Sequence, residues 1–147
     1  MQATTQGPST ILTLPIVLVD NRPERRQLMR WVVEASHAGA MVVGEADTAA
    51  EAIAIIDEKE ADVAIVEVQL PVEQGLQTIT DLRAAFPNLG IAVCSFHFRS
   101  ETQEQARECG ADVYVAKPIT PGELSVALAG LASVPRHWAT SEPSPAR

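Results

Sequence analysis

The sequence is poor in the residues that bridge chains, hold zinc or bind nucleic acid. Two cysteines and three scattered histidines occur in 147 residues, with no CxxC pair. Bases are also scarce, since 11 Lys and Arg face 19 Asp and Glu, for a formal charge of -8. These absences exclude a disulfide framework and a zinc site, and the acidic balance argues against a nucleic-acid partner.

Long hydrophobic runs are missing as well. The apolar stretch at residues 11–19 is broken by Thr13 and Pro15 and is far shorter than the roughly 18 residues of a membrane span. The first ten residues carry no basic side chain and do not resemble a secretory signal. With 46% apolar and 20% charged residues, we expect one soluble, cytoplasmic globular domain without membrane contact.

Five short apolar runs rich in β-branched residues are what the sequence does contain. They start at residues 16, 41, 63, 91 and 113 and read IVLV, MVVG, VAIV, IAVC and VYVA. Unbroken apolarity predicts strands buried on both faces, as in a parallel sheet. Each interval between runs has room for one crossover helix. The sequence therefore predicts an α/β fold, (βα)5, with a doubly wound five-stranded parallel sheet.

Helix signals fall between these runs. T-x-x-E capping boxes at 48–51 and 120–123 each precede an apolar stripe at helical spacing. Asn21 is a weaker cap candidate for the first helix, and Pro87 ends the third. The fourth helix is largely polar and ends at Gly110.

Polar side chains follow the four inner strands. Asp20 and Asn21 come after the first strand, Glu67 after the third, Ser95 after the fourth and Lys117 after the fifth. Any one of them alone is typical of a solvated loop or a helix cap. Because the carboxyl ends of parallel strands meet at one edge of the sheet, the set together predicts a functional site there.

At these residues the sequence resembles the receiver domain of bacterial two-component response regulators, the fold of CheY. VLVDN-RPE resembles the acidic-pair loop of that family, ADVAIVEVQLP its phosphoacceptor strand, AVCS its fourth strand, and GADVYVAKPIT its fifth-strand signature. The resemblance implies a flavodoxin-like sheet with strand order 2-1-3-4-5. We expect a flexible extension at 1–14, a receiver domain at 15–132 and a disordered, proline-rich tail at 133–147.

In that family an aspartate after the third strand accepts a phosphoryl group from a histidine kinase, and acids after the first strand hold Mg²⁺. The resemblance assigns the phosphoacceptor position to Glu67, the acidic pocket to Asp20 and Asn21, the phosphoryl contacts to Ser95 and Lys117, and an aromatic ring that reorients on activation to Tyr114.

Two residues differ from the family pattern at positions that take part in this chemistry. Glu67 replaces the family's Asp and adds one carbon–carbon bond, about 1.5 Å, which is comparable to a misplacement that costs enzymes about a hundredfold in rate. Asn21 replaces the usual second acid, so the pocket carries -1 where the family pocket carries -2. We expect Mg²⁺ to bind weakly, if at all, through Asp20, Glu67 and the carbonyl of Gln69, with no other cofactor.

The sequence therefore predicts a degenerate receiver, or pseudo-receiver, in phosphorelay signal transduction. It is expected to act without enzymatic activity, through protein–protein contact and without phosphorylation. Glu67 is expected to reach Lys117 and Ser95 and to stand in for a phosphorylated Asp. A histidine kinase or downstream effector would bind the surface of the fourth helix, fifth strand and fifth helix, where a homodimer is also plausible.

Other interpretations stay open at this point. The receiver is phosphorylatable on Glu67 or on another side chain, or it is a transcription factor that has lost its output domain. A flavodoxin-like redox or nucleotide-binding protein is disfavoured, because the glycine spacing at 39–44 lacks the Lys and Ser or Thr of a phosphate-binding loop. Phe96, just after Ser95, either crowds the phosphoryl space or turns outward.

Overall fold

The computed structural model describes residues 13–36, 39–69 and 71–132, in which strands and helices alternate. The strands are β1 (Leu14–Val19), β2 (Ala40–Ala46), β3 (Val63–Val66), β4 (Gly90–Ser95) and β5 (Val113–Ala116). The helices are α1 (Pro23–Ser36), α2 (Ala49–Lys59), α3 (Val72–Ala85), α4 (Ser100–Cys109) and α5 (Pro121–Ala132). Every predicted apolar run lies in a strand, and the third and fifth runs match their strands at both ends.

The strands form one parallel sheet in the order β2-β1-β3-β4-β5, which confirms the predicted 2-1-3-4-5 topology. The central strands β3 and β4 are buried along their whole length, whereas the edge strands β2 and β5 are mostly half-buried. The inner strands are apolar without interruption because helices cover both of their faces.

Two apolar layers flank the sheet. On one face Ile79 and Leu82 of α3 pack against Val66 of β3, and on the other Leu124 and Leu128 of α5 share a cluster with β1. All five of these side chains are almost completely buried. Because helices cover both faces, the functional groups of the sheet lie at its carboxyl edge.

The capping box predicted for α5 is confirmed, and that for α2 is confirmed in its Thr48 half, while Glu51 Oε1 accepts the Asp47 N–H at 2.8 Å. At α5, Thr120 Oγ1 accepts the Glu123 N–H at 3.1 Å, and Glu123 Oε1 accepts the Thr120 N–H at 2.9 Å. At α2, Thr48 Oγ1 accepts the Glu51 N–H at 3.2 Å. Both devices satisfy amide groups that a helix start leaves without a partner.

The start of α1 differs from the prediction. Asp20 Oδ1 accepts the backbone N–H of Arg22 at 2.9 Å, so Asp20 holds the turn ahead of the helix in the way expected of Asn21. Asn21 Oδ1 instead faces the guanidinium of Arg25 at 3.4 Å. Asp20 thereby fixes the position of the first turn of α1 relative to the end of β1.

The predictions for the two ends of the chain fall mostly outside the described residues. Residues 1–12 and the tail 133–147 are not among them, and Leu14, assigned to the flexible extension, pairs with Ala40 inside the sheet. Among the helices of the described part of the chain, none has the length and apolarity needed to cross a membrane.

Candidate functional site

The carboxyl edge of the sheet brings together residues that lie far apart in sequence. The backbone N–H of Glu67 donates to Val19 O at 3.1 Å, and that of Lys117 donates to Ser95 O at 2.9 Å. These bonds extend the parallel ladder just past the strand ends, so the side chains that follow the strands face one region. The predicted meeting of the strand tips is present in the structure.

Glu67 and Lys117 form a buried ion pair at this edge. Lys117 Nζ donates to Glu67 Oε1 at 2.6 Å, and the two side chains are only 10% and 5% exposed, respectively. Charges at about 4 Å attract by about 4 kcal/mol at an effective dielectric of 20, and desolvation offsets much of this. The pair therefore fixes geometry more than it adds net stability.

The second oxygen of the Glu67 carboxylate is left without a partner. Oε2 is buried and accepts no hydrogen bond from the residues that the structure describes. An unsatisfied buried acceptor costs about 1–3 kcal/mol, so this oxygen is a potential ligand or nucleophile. It belongs to a residue that lines a cavity of about 170 Å³, together with Asp20, Asn21 and Gln69.

A second ion pair lies beside the first. Arg25 Nε donates to Asp20 Oδ2 at 2.8 Å and Arg25 Nη2 to Asp20 Oδ1 at 2.5 Å, a two-pronged arrangement. The hydrogen bond with Asp20 is the main cause that raises the pKa of Arg25, and the negative charges of Asp20 and Glu67 raise it further. The predicted pocket charge of -1 omitted Arg25. With Arg25 included, two carboxylates face two cations.

The residues as placed do not fit Mg²⁺. Both oxygens of Asp20 accept hydrogen bonds from Arg25, and one oxygen of Glu67 accepts a hydrogen bond from Lys117. Within 13–36, 39–69 and 71–132, no group of three or more His, Cys, Asp or Glu residues could hold a metal ion. The carbonyl of Gln69, the third predicted ligand, would join only the second oxygen of Glu67.

Ser95 is turned away from Glu67. Its buried hydroxyl donates to the carbonyl of Val68 and accepts the backbone N–H of His97 at 3.0 Å. A hydroxyl has one proton to donate, and that proton is committed to the backbone. Of the two contacts predicted for Glu67, the one to Lys117 is therefore present, and the one to Ser95 is wrong for the conformation described.

Aromatic residues surround the loop between β4 and α4. Tyr114 donates its hydroxyl to the carbonyl of His97, and its ring centroid lies 5.7 Å from that of Phe98; burial raises the pKa of Tyr114. Phe96 is 67% exposed and its ring centroid lies 5.7 Å from Lys117 Nζ. The exposure of Phe96 agrees with an outward ring, whereas its position over Lys117 keeps the ring beside the site, so both interpretations of Phe96 stay open.

Arg25 is the site residue that the sequence analysis missed. It lies five positions after Asp20, in the first turn of the helix predicted to follow the first strand. A long cationic side chain in that turn reaches back toward the carboxylate that precedes the helix. The spacing between Asp20 and Arg25 was the signal that could have revealed this contact, because the family resemblance assigned no role to Arg25.

The chain belongs to the response regulator receiver domain family, whose sequence profile matches residues 16–129. The fold and the site edge thus define a CheY-like receiver domain of two-component signalling.

Among curated relatives, the chain is 26% identical to the chemotaxis protein CheY of Thermotoga maritima over 113 residues, covering 77% of this chain and 92% of CheY. It is 31% identical to the uncharacterized transcriptional regulatory protein YhcZ of Bacillus subtilis over 111 residues, covering 76% of this chain and 51% of YhcZ. The chain spans 31% of a protein-glutamate methylesterase/protein-glutamine glutaminase of Hahella chejuensis, with 29% identity over 110 residues, or 74% of this chain.

Solved structures agree in fold. The crystal structure of a LuxR-family two-component response regulator from Aurantimonas sp. SI85-9A1 has a TM-score of 0.73 and 33% identity, covering 82% of this chain and 86% of that one. A response regulator from Thermotoga maritima has a TM-score of 0.73 at 23% identity, covering 83% and 99%.

Proposed function

We propose that this receiver domain signals through protein–protein contact without being phosphorylated, with Glu67 as a permanent charge at the phosphoacceptor position. The observation that carries the proposal is the buried hydrogen bond of 2.6 Å between Lys117 Nζ and Glu67 Oε1. The predicted phosphoryl-contacting lysine is thus already bound to a carboxylate. On this proposal the ion pair holds one conformation of the site throughout.

The reactivity of the site supports the same proposal. Phosphoryl transfer is catalysed almost wholly by positioning and by cations that neutralise the developing charge. Here the acceptor carboxylate is neutralised by Lys117, and Asp20 is neutralised by Arg25. The two carboxylates that would bring Mg²⁺ to the phosphoryl donor are therefore each engaged with a cationic side chain. We propose that the domain has no phosphotransfer activity of its own.

The proposed binding surface comprises α4, β5 and α5, with a histidine kinase or downstream effector as partner. The half-buried ring of Tyr114 packs against the exposed ring of Phe98 at the margin of this surface. Exposed aromatic rings are enriched at protein interfaces, which favours this surface over the polar faces of the domain. Homodimerisation through the same surface and a cytoplasmic location stay predictions.

Incubation with Mg²⁺ and acetyl phosphate, followed by intact-mass measurement, tests the phosphorylation claim. We expect no gain in mass for the wild-type protein, because the acceptor carboxylate and Asp20 are both paired. A gain of one phosphate that Glu67→Gln abolishes would overturn the proposal in favour of a phosphorylatable receiver. A gain that survives Glu67→Gln would also overturn it, by placing the phosphate on another side chain.

That second candidate function has one observation in its favour. Glu67 Oε2 is buried without a hydrogen-bond partner in the described part of the chain, so a nucleophilic oxygen is available. The mass measurement separates the two candidates directly, since only the phosphorylatable receiver requires a covalent change at Glu67.

An affinity pull-down from the native host tests the partner claim. Glu67→Asp shortens the side chain by one methylene and withdraws the carboxylate from Lys117, so we expect the bound partner to be lost. Glu34→Asp is the matched control, because it makes the same change on the exposed face of α1. Equal recovery of the partner with Glu67→Asp and wild-type baits would contradict a role for the permanent charge.

A further inference from the structure

Among the residues that the structure describes, Arg25 provides every charged contact that the side chain of Asp20 makes. Its Nε and Nη2 atoms donate to the two carboxylate oxygens at 2.8 and 2.5 Å. Nη2 also lies 3.4 Å from Asn21 Oδ1. Three side-chain oxygens at the end of β1 therefore face one guanidinium, a group whose planar fork matches a carboxylate.

The pair is fixed by its surroundings. Asp20 accepts the backbone N–H of Arg22 at 2.9 Å, and this bond sets the first turn of α1. The side chains of Asp20 and Arg25 are 7% and 20% exposed, so solvent screens their attraction weakly. The adjacent arginine, Arg26, bonds to Glu45, to Asp47 and to the backbone carbonyl of Asp20, which leaves Arg25 as the partner of the Asp20 carboxylate among the described arginines.

The oxygens around the cavity are otherwise the kind that a divalent cation takes. Asp20, Asn21, Glu67 and Gln69 all line it, and Mg²⁺ prefers carboxylate and amide oxygens. Glu67 Oε2 is buried without a hydrogen-bond partner among the described residues, so it has no hydrogen bond to lose on acting as a ligand. Asp20 is the exception, because its carboxylate is already hydrogen-bonded to Arg25.

We infer that Arg25 is an internal cation that takes the place of a divalent ion at this edge of the sheet and keeps Asp20 from binding one. The inference rests on the proposed function, since it explains how the site stays in one state without a metal. Arg25 is a positioning residue, because it acts through Asp20.

Titration of the full chain with MgCl₂ by isothermal titration calorimetry tests the inference. Arg25→Ala frees Oδ2 of Asp20, leaves Oδ1 with only its bond from the Arg22 backbone and removes one positive charge, so we expect Mg²⁺ affinity to rise about tenfold or more over wild type. Arg25→Met keeps the aliphatic stem and serves as a second variant, with the same expected gain. Circular dichroism and the thermal midpoint verify that each variant is folded.

Arg22→Ala is the matched control. Arg22 lines the same cavity, but its side chain is 58% exposed and lies 3.8 Å from Glu24, while its backbone N–H still holds Asp20. We expect its effect on Mg²⁺ affinity to stay within about threefold, because exposed charges are screened. An equal gain in Arg22→Ala and Arg25→Ala would overturn the inference by reducing it to general electrostatics.

One other outcome would also overturn it, namely a Mg²⁺ affinity of both folded Arg25 variants that equals that of wild type. This result is distinct from failure of the proposed function. Phosphorylation of the wild-type protein by acetyl phosphate would refute the proposed function, whereas the Arg25 inference is refuted only by the Mg²⁺ titrations.

Discussion

Glu67 and Lys117 meet as a buried pair in which one carboxylate oxygen is hydrogen-bonded and the other has no partner among the described residues. Removing both charges from such a pair is often tolerated, but removing one leaves an uncompensated charge away from water. Removing Lys117 alone should therefore lower the free energy of unfolding by more than the net energy of the ion pair.

Lys117→Met is expected to lower the free energy of unfolding by about 3–5 kcal/mol, because it leaves the Glu67 carboxylate buried and unpaired. Urea denaturation at neutral pH measures the loss. The double variant Glu67→Gln/Lys117→Met removes both charges and should recover a large part of it. If the double variant were as unstable as the sum of the two single variants, the pair would not be the source of the effect.

At the scale of elements, α3 packs unusually close to the segment that follows β3. A methyl group added at Gly75, in the first turn of α3, would lie 2.9 Å from Val68 Cγ2 and 3.0 Å from Val68 Cα. Such distances require movement of backbone next to Glu67. Gly75 thus permits the approach of α3 to the loop that carries the acceptor position.

Gly75→Ala is expected to destabilise the domain by about 1–3 kcal/mol through overpacking against Val68. Gly130→Ala in α5 is the matched control, since in the described part of the chain no atom outside the helix's own backbone lies within 4 Å of the added methyl group. There the gain in helix propensity should stabilise by about 0.5–1 kcal/mol. Opposite signs for the two variants in urea denaturation support the packing account, and equal effects would refute it.

Across the whole molecule, charges of α1 tie this helix to the edge strand β2. Arg26 and Arg30 each donate to the Glu45 carboxylate at 2.9 Å. Burial alone would raise the pKa of Glu45, but the hydrogen bonds from Arg30 and Arg26 outweigh it and lower the pKa below the ordinary 4.5. The chain carries a net charge of -8, so a carboxylate that is paired with two arginines adds to the stability of the folded domain.

The pH dependence of unfolding follows from that shift. A lowered folded-state pKa gives a stabilisation that is fully present above the unfolded-state value and is lost as the pH falls through the folded-state value. Stability should therefore decrease below about pH 5 more steeply in wild type than in Glu45→Gln. Urea denaturation from pH 7 to about 3 measures the slopes. Identical slopes would contradict the prediction, and Arg30→Met should give an intermediate slope.

The fold was largely predictable because its signals are local. The apolar run VAIV at 63 and the capping box at 120–123 specify a buried strand and a helix start within a few residues, and the structure has both. The site was predictable only in part. Lys117 was expected to meet Glu67 and does, whereas the bond of Ser95 to the Val68 carbonyl depends on how two loops pack.

By itself, the sequence determined the order of the elements and the presence of carboxylates, an amide, a hydroxyl and an ammonium at the strand ends. The tertiary structure alone decided which of these groups pair. Arg25 and Lys117 neutralise Asp20 and Glu67 only because α1 and β5 are held at the same edge of the sheet. Ion pairing falls off within a few ångströms, so it depends on distances that local sequence patterns do not encode.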